Sequence, residues 1–164
     1  MLTPFASKSQ FKASIGTEVT RAMGKFGNAI SFGFGVSGGV EYAFTNKFGL
    51  MVLAGYIHQI PNNEYKSSYM IPVQATMKFY FNCSYNGPYM TPILGIHKVS
   101  ITKKDYQFLG QTTPGITNAV TNASFGFGMG YLTFTKFDFY FRINWASYGY
   151  GYGTYLALRF AREF

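Results

Sequence analysis

AISFGFGVSGGVEYAF, residues 29–44, puts Ile30, Phe32, Phe34, Val36, Val40, Tyr42 and Phe44 at one parity and Ser31, Gly33, Gly35, Ser37, Gly39 and Glu41 at the other. Side chains of a strand alternate faces, so this stretch has one bulky apolar face and one small, polar face. In a soluble sheet the apolar face would be the core, yet this one element would then offer seven large groups to an interior shared with every other strand. The pattern fits better inside out, with apolar faces toward lipid and polar faces lining a closed barrel.

The alternation recurs along the chain and marks eight candidate strands, residues 11–21, 29–44, 48–57, 68–81, 89–101, 123–134, 137–145 and 154–164. A tilted strand needs about nine to eleven residues to cross a bilayer. In the first, Phe11, Ala13, Ile15 and Val19 oppose Lys12, Ser14, Gly16, Glu18 and Thr20. In the sixth, Phe125, Phe127, Met129 and Tyr131 oppose Gly126, Gly128 and Gly130; in the seventh, Phe137, Phe139, Phe141, Ile143 and Trp145 oppose Asp138, Tyr140, Arg142 and Asn144. The third is apolar on both faces, and Phe48, Leu50, Val52, Ala54 and Tyr56 are assigned outward. Residues 45–47, 82–88 and 135–136 are turns, whereas 58–67 and 102–122 are longer loops, a short-and-long alternation typical of outer-membrane barrels. Pro72 and Pro92 fall inside strands, where a closed sheet has no free edge for a missing N–H, so a β-bulge or a change of register is expected at each.

Composition agrees with this architecture. Of the 164 residues 20% are aromatic and only 12% charged, against about 25% charged in soluble domains. A mean hydropathy of +0.03 is what two opposed faces average to. The longest apolar stretch, residues 49–57, is about half of what a spanning helix needs. Residues 1–10 lack the apolar core of a signal peptide, so they are expected to be a periplasmic N-terminal segment of a mature chain forming one domain, 1–164. A single cysteine, Cys83, excludes an internal disulfide and a multi-cysteine metal site, and no metal or cofactor is expected. The net charge of +8 is scattered singly apart from Lys103-Lys104, which disfavours nucleic acid and favours anionic membrane head groups.

The Ile71-Pro72-Val73 start and Lys78-Phe79-Tyr80-Phe81 end of the fourth strand, the 124–131 run SFGFGMGY, Phe137-Asp138-Phe139 after a tight turn, and the terminal Phe164 resemble the small eight-stranded outer-membrane barrels. The likeness is to the OmpA transmembrane domain and OmpX type, and particularly to Bacteroidota-type β-barrel domains. It implies an all-β, eight-stranded antiparallel up-and-down barrel in the outer membrane of a Gram-negative bacterium, related to porins in architecture and without enzymatic activity. It also implies that Phe160 and Phe164, with Tyr155 and Leu158 nearby, signal to the outer-membrane assembly machinery.

Inward parity gathers Glu18, Glu41, Lys78, Asp138, Arg142 and Arg159, and a charge in a narrow lumen is costly unless paired, so these six are expected to form an internal ion-pair network. Tyr42, Phe44, Phe48, Phe79, Phe81, Tyr89, Phe137 and Phe164 are assigned to a periplasmic aromatic girdle, and Tyr56, Tyr69, Trp145, Tyr148, Tyr150 and Tyr152 to an outer one. Loop 102–122, with Lys103, Lys104, Asp105 and Tyr106, is the expected contact loop. The expected role is structural or binding, as an accessory subunit of a larger membrane assembly touching lipid and lipopolysaccharide. Two rivals stand beside it: a lipid A- or phospholipid-modifying enzyme using His58 or His97 with Ser100 or Ser68, and a soluble lipocalin-like barrel.

Overall fold

The computed structural model describes residues 11–24, 27, 30–62, 65–82, 86–108, 111–147 and 152–164, with 106–108, 111–113, 147 and 152 described by backbone alone. Its strands are β1 (Phe11–Met23), β2 (Ile30–Ala43), β3 (Phe48–Pro61), β4 (Tyr65–Tyr80), β5 (Gly87–Lys103), β6 (Tyr106–Phe108), β7 (Gln111–Thr113), β8 (Thr117–Leu132), β9 (Phe137–Ser147) and β10 (Tyr152–Glu163). Eight of them close a barrel in the order β1-β10-β9-β8-β5-β4-β3-β2, every pair antiparallel. The seam is β1 against β10, from Ser14 opposite Glu163 to Met23 opposite Thr154, and the Phe164 N–H reaches the Ala13 carbonyl at 2.8 Å. Both β1 and β10 meet the turn end of the barrel, where residues 44–47, 81–86 and 133–136 join strands. No helix among the described residues is long and apolar enough to cross a membrane.

Alternation sets the faces. Phe32, Phe34, Val36 and Val40 are exposed on the outside of β2, while Ser37, Gly39 and Glu41 are buried inside. The outward assignment of Phe48, Leu50, Val52, Ala54 and Tyr56 also holds, each being exposed. Ile30 does not follow its parity. A register shift between Ile30 and Phe32 against β3 inserts one residue, which turns Ile30 inward to 1% exposure.

Neither proline causes a bulge. Register is unbroken through Pro72 opposite His97 and Pro92 opposite Phe127. What lapses is the ladder on the side each missing N–H would face: β3–β4 pairing skips from Ala54–Val73 to Ile57–Met70, and β4–β5 pairing skips from Thr76–Ile93 to Phe79–Met90. Two connections also differ from expectation. The 58–67 loop shrinks to residues 62–64, because β3 runs on to Pro61 and β4 starts at Tyr65, so the short-and-long alternation of connections is weaker than the sequence suggests. Most of 102–122 is a hairpin arm, with β5 and β8 paired out to Thr102–Thr117 and the β6–β7 ribbon beyond them.

The lumen is filled rather than merely polar, as eight strands require. One apolar cluster joins Ile30, Ile57, Met70, Val99, Tyr155 and Ala157 toward the arm end, and a second joins Met51, Leu53, Tyr80, Tyr89, Ile93, Leu132 and Tyr140 toward the turn end. The glycines of the FGFGMG run make room for these rings. A Cβ on Gly128 would lie 2.6 Å from Tyr140 Cε2, and one on Gly130 2.3 Å from Tyr89 Cζ. Gly130→Val is therefore expected to lose about 1–3 kcal/mol through overpacking, read as a lowered urea midpoint.

Candidate functional site

Acids and bases on inward positions of five strands meet along the barrel axis. Lys78 on β4 is the hub: its Nζ lies 2.8 Å from Glu41, 3.3 Å from Asp138 and 3.3 Å from Glu163, and the side chain is 0% exposed. At the turn end Lys12 reaches Glu163 at 3.4 Å. Farther in, Arg159 lies 3.8 Å from Asp138 and 4.0 Å from Glu18, and Arg142 binds Glu18 at 2.5 Å. The six residues that parity gathered are thus joined by Lys12 and Glu163, and four carboxylates face four cations. Hydroxyls complete the shell: Tyr89 donates to Asp138 at 2.5 Å, Tyr80 to Glu41 at 3.3 Å, and Arg159 donates to Ser37 at 2.8 Å and Ser14 at 3.0 Å. Burial of this kind is tolerated only because each charge has a partner.

Above this ladder sits a second polar cluster, whose assembly across the barrel the sequence did not show. Gln74 donates to Asn144 at 2.7 Å, and His97 Nε2 is hydrogen-bonded to the Tyr155 hydroxyl and lies 3.5 Å from Gln74 Nε2. The apolar cluster of Ile30, Ile57, Met70 and Val99 shares Tyr155 with it, so it is capped from the arm end. Among the described residues no group of three or more His, Cys, Asp or Glu has the geometry to hold a metal.

The exterior is the complement of the lumen. Phe32, Phe34, Phe125, Phe127, Met129, Phe139, Leu158 and Phe160 are all exposed, forming an apolar wall. Exposed bases rim it: Arg21, Lys66, Lys98, Lys103 and Lys104 toward the arm end, and Lys47, Lys136 and Arg162 toward the turn end. Rings gather at the turn end as Phe11–Tyr42–Phe44, Phe48–Phe79 and Phe137–Phe160 contacts, and toward the arm end as Tyr56–Tyr69 and Phe125–Trp145 stacks. Charges enclosed and aromatics outside reverse the build of a soluble, lipocalin-like barrel, whose wall would have to meet water.

No family model and no curated protein sequence matches the chain. Solved structures do match. Ail, the attachment invasion locus protein of Yersinia pestis, aligns with a TM-score of 0.67 at 14% identity over 94% of this chain and 97% of that one. The N-terminal β-barrel domain of Pseudomonas aeruginosa OprF aligns at 0.65, with 14% identity over 93% and 97%. Neisserial surface protein A aligns at 0.57, with 14% identity over 95% and 98%. The chain has the fold of the small eight-stranded outer-membrane barrels.

Within this barrel the remaining sequence-derived residues fall as follows. Phe160 and Phe164 are exposed on the outer face of the last strand with Leu158, but Tyr155 is turned into the lumen at 1% exposure. Tyr89 is likewise inside the barrel at 1%, not in the girdle. Tyr148 and Tyr150, with Cys83, lie outside the described residues, as does the side chain of Tyr152. The histidine and serine pairs considered for lipid chemistry are not assembled: His97 points into the barrel, Ser100 is on the opposite parity of β5, Ser68 donates to Gln59 at 2.8 Å, and His58 is outside against Phe34.

Part-way along the arm, between the β5–β8 and β6–β7 pairings, Asp105 accepts the Gly115 N–H at 2.8 Å and lies 3.4 Å from Lys66 Nζ. The Gly115 N–H, and then Lys66, hold its carboxyl below the usual carboxylate range. A depressed value means the bond is fully present above the ordinary carboxylate pKa and is lost as pH falls through the lowered one. The protection factor of the Gly115 amide, its exchange rate set against the intrinsic rate at the same pH, is expected to fall on acidification through that window while barrel amides stay protected, and Asp105→Ala should give the low protection at neutral pH.

Proposed function

We propose that this protein is an integral outer-membrane barrel with a structural and binding role, acting as an accessory subunit of a larger membrane assembly. The observation that carries the proposal is the lumen: a charge-balanced ladder lies beside one apolar cluster, and a second apolar cluster closes the barrel beyond it toward the arm end, which leaves no continuous polar path among the described residues. What is left to act on other molecules is the exterior, an apolar belt between basic rims. Such rims suit lipid and lipopolysaccharide phosphates at about 1 kcal/mol per base near an anionic surface. The strands' amphipathic pattern and the aromatic Phe160–Phe164 end are suited to the outer-membrane assembly machinery. Both termini and the tight turns then lie in the periplasm, and the arm lies outside.

Purification from native membranes in mild detergent, followed by cross-linking and mass spectrometry, is expected to recover a stoichiometric membrane protein partner. Recovery of the barrel alone at every detergent strength would rule out the subunit role. In planar bilayers the pure barrel is expected to stay at background conductance. A current well above background that disappears in Arg142→Ala would instead make the lumen a path.

A further inference from the structure

Lys136, in the turn between β8 and β9, has a φ of 64° and is the only non-glycine residue in the left-handed region among the described residues. The turn forces this conformation: the Thr133 N–H donates to the Phe137 carbonyl at 2.8 Å and the Lys136 N–H to the Thr133 carbonyl at 3.1 Å. Glycine takes such a φ freely and is the usual residue at this kind of hairpin position, so a lysine here costs stability. A cation kept at a strained position points to something that uses it. The Lys136 carbonyl accepts the Glu163 N–H at 2.9 Å, which brings Arg162 alongside, exposed and with its guanidinium over the Phe137 and Phe164 rings at 5.8 and 5.9 Å. No acid is exposed at this end of the barrel among the described residues, since Asp138 and Glu163 are buried against Lys78. Phe134, beside Lys136, is 82% exposed.

Directly above this turn the outer wall carries a groove of about 410 Å³ along β8. Pro88 and Tyr131, paired across β5 and β8, line its turn end, and Phe127 lines its mid-wall end. Between them Met90 and Met129 lie directly opposite each other, with Phe141 of β9 on the other side of Met129. Rigid rings thus bound the groove, and two thioethers, which adapt to an irregular guest, form its middle. At about 3.3 Å per residue the stretch from Phe127 to Tyr131 is roughly 13 Å long, close to one leaflet of a hydrocarbon core about 30 Å thick.

An apolar groove that ends on two cations fits an amphiphile with one negative end. We propose that this face binds one anionic glycerophospholipid of the periplasmic leaflet, with an acyl chain in the groove and the phosphate held by Lys136 and Arg162. The site rests on the lipid-facing wall and the orientation proposed above, not on the subunit role. A second copy of this chain fits the face poorly, because a two-fold axis along the membrane normal sets Lys136 and Arg162 against their own counterparts.

The test uses the full chain in phosphatidylcholine vesicles, its insertion checked first by heat-modifiable gel mobility. Phosphatidylglycerol or phosphatidylcholine with a photoreactive acyl chain is added in trace amount. Cross-links from the phosphatidylglycerol probe are expected to map to Met90 and Met129 and to exceed those from the phosphatidylcholine probe. Lys136→Gly and Arg162→Gln should each lower that excess about five-fold, the worth of one base near an anionic surface. Lys136→Gly should at the same time keep or raise the urea midpoint, because glycine relieves the strained φ. Lys47→Gln, in the turn on the far side of β4, should leave the excess intact. Equal labelling by the two probes, or an excess that survives Lys136→Gly, would overturn the site in favour of ordinary lipid solvation of the wall. An equal loss in Lys47→Gln would overturn it in favour of a diffuse basic rim. Cross-links between two barrels through Met129 at the expense of lipid would overturn it in favour of self-association. A chain that stays out of the vesicles would overturn the lipid-facing wall itself and the site with it, whereas an inserted chain without selectivity overturns the site alone.

Discussion

Lys78→Met is expected to destabilise the barrel by about 3–5 kcal/mol, the range seen when one member of a buried ion pair is removed. The Met side chain keeps most of the lysine's length, so the change isolates charge. Without the ammonium, Glu41, Asp138 and Glu163 lose the cation that lies within 3.3 Å of all three, and none can turn to bulk water because the first two are 2% and 0% exposed and the third 4%. Lys12 and Arg159 remain, at 3.4 Å from Glu163 and 3.8 Å from Asp138, and the Tyr80 hydroxyl still donates to Glu41 at 3.3 Å. Glu41 is the carboxylate nearest to the Lys78 ammonium, at 2.8 Å, so the cost should fall chiefly there, and Lys78→Met/Glu41→Gln is expected to recover about half of the loss. Urea unfolding in vesicles, followed by the fluorescence of the only tryptophan, Trp145, measures both. An unchanged midpoint for Lys78→Met would mean the lumen is hydrated well enough to hold three carboxylates unaided, and the charge-balanced plug would fail with it.

The network was legible to the extent that parity was. Once Phe127 and Phe139 are outside, Asp138, Arg142 and Lys78 have only the lumen to occupy. Glu163 and Lys12 carried the same signal, sharing parity with Arg159 and Glu18, but lie so near the chain ends of their strands that they pass for rim residues. Tyr89 was misread because β5 alternates weakly: its inward face holds Ile93 and Val99, as apolar as the outward Leu94 and Ile96. Ile30 was misread because a bulge reverses parity and leaves no mark in composition. The 117–122 strand was invisible for a different reason. Beyond the wall its residues from Thr117 to Thr121 are exposed at both parities, so Thr, Asn and Ala recur without alternation and resemble a loop. The prolines misled in the opposite direction: a barrel strand can omit one ladder bond without changing register, provided the neighbour on the other side stays paired.

Phe127→Arg is expected to cost about 2–4 kcal/mol, and Tyr131→Arg no more than about 1 kcal/mol, because the penalty for a cation on the lipid face depends on depth. Both residues are on the outer face of β8, four positions apart and similarly exposed, 43% and 47%, so burial in the protein does not distinguish them. Position along the strand does. Phe127 sits opposite Ile143 and Pro92 at mid-wall among Phe125, Met129 and Phe141, whereas Tyr131 is one residue from the end of β8, beside the turn that carries the exposed Lys136. An arginine there can reach the head-group layer; one at position 127 has hydrocarbon on every side. In water the comparison would collapse, since replacing either exposed aromatic by arginine would be neutral or would improve solubility. The difference between the two urea midpoints thus reads the orientation of the whole barrel. Equal penalties would place the apolar belt elsewhere on the wall, and no penalty for Phe127→Arg in vesicles would mean that this face does not meet lipid.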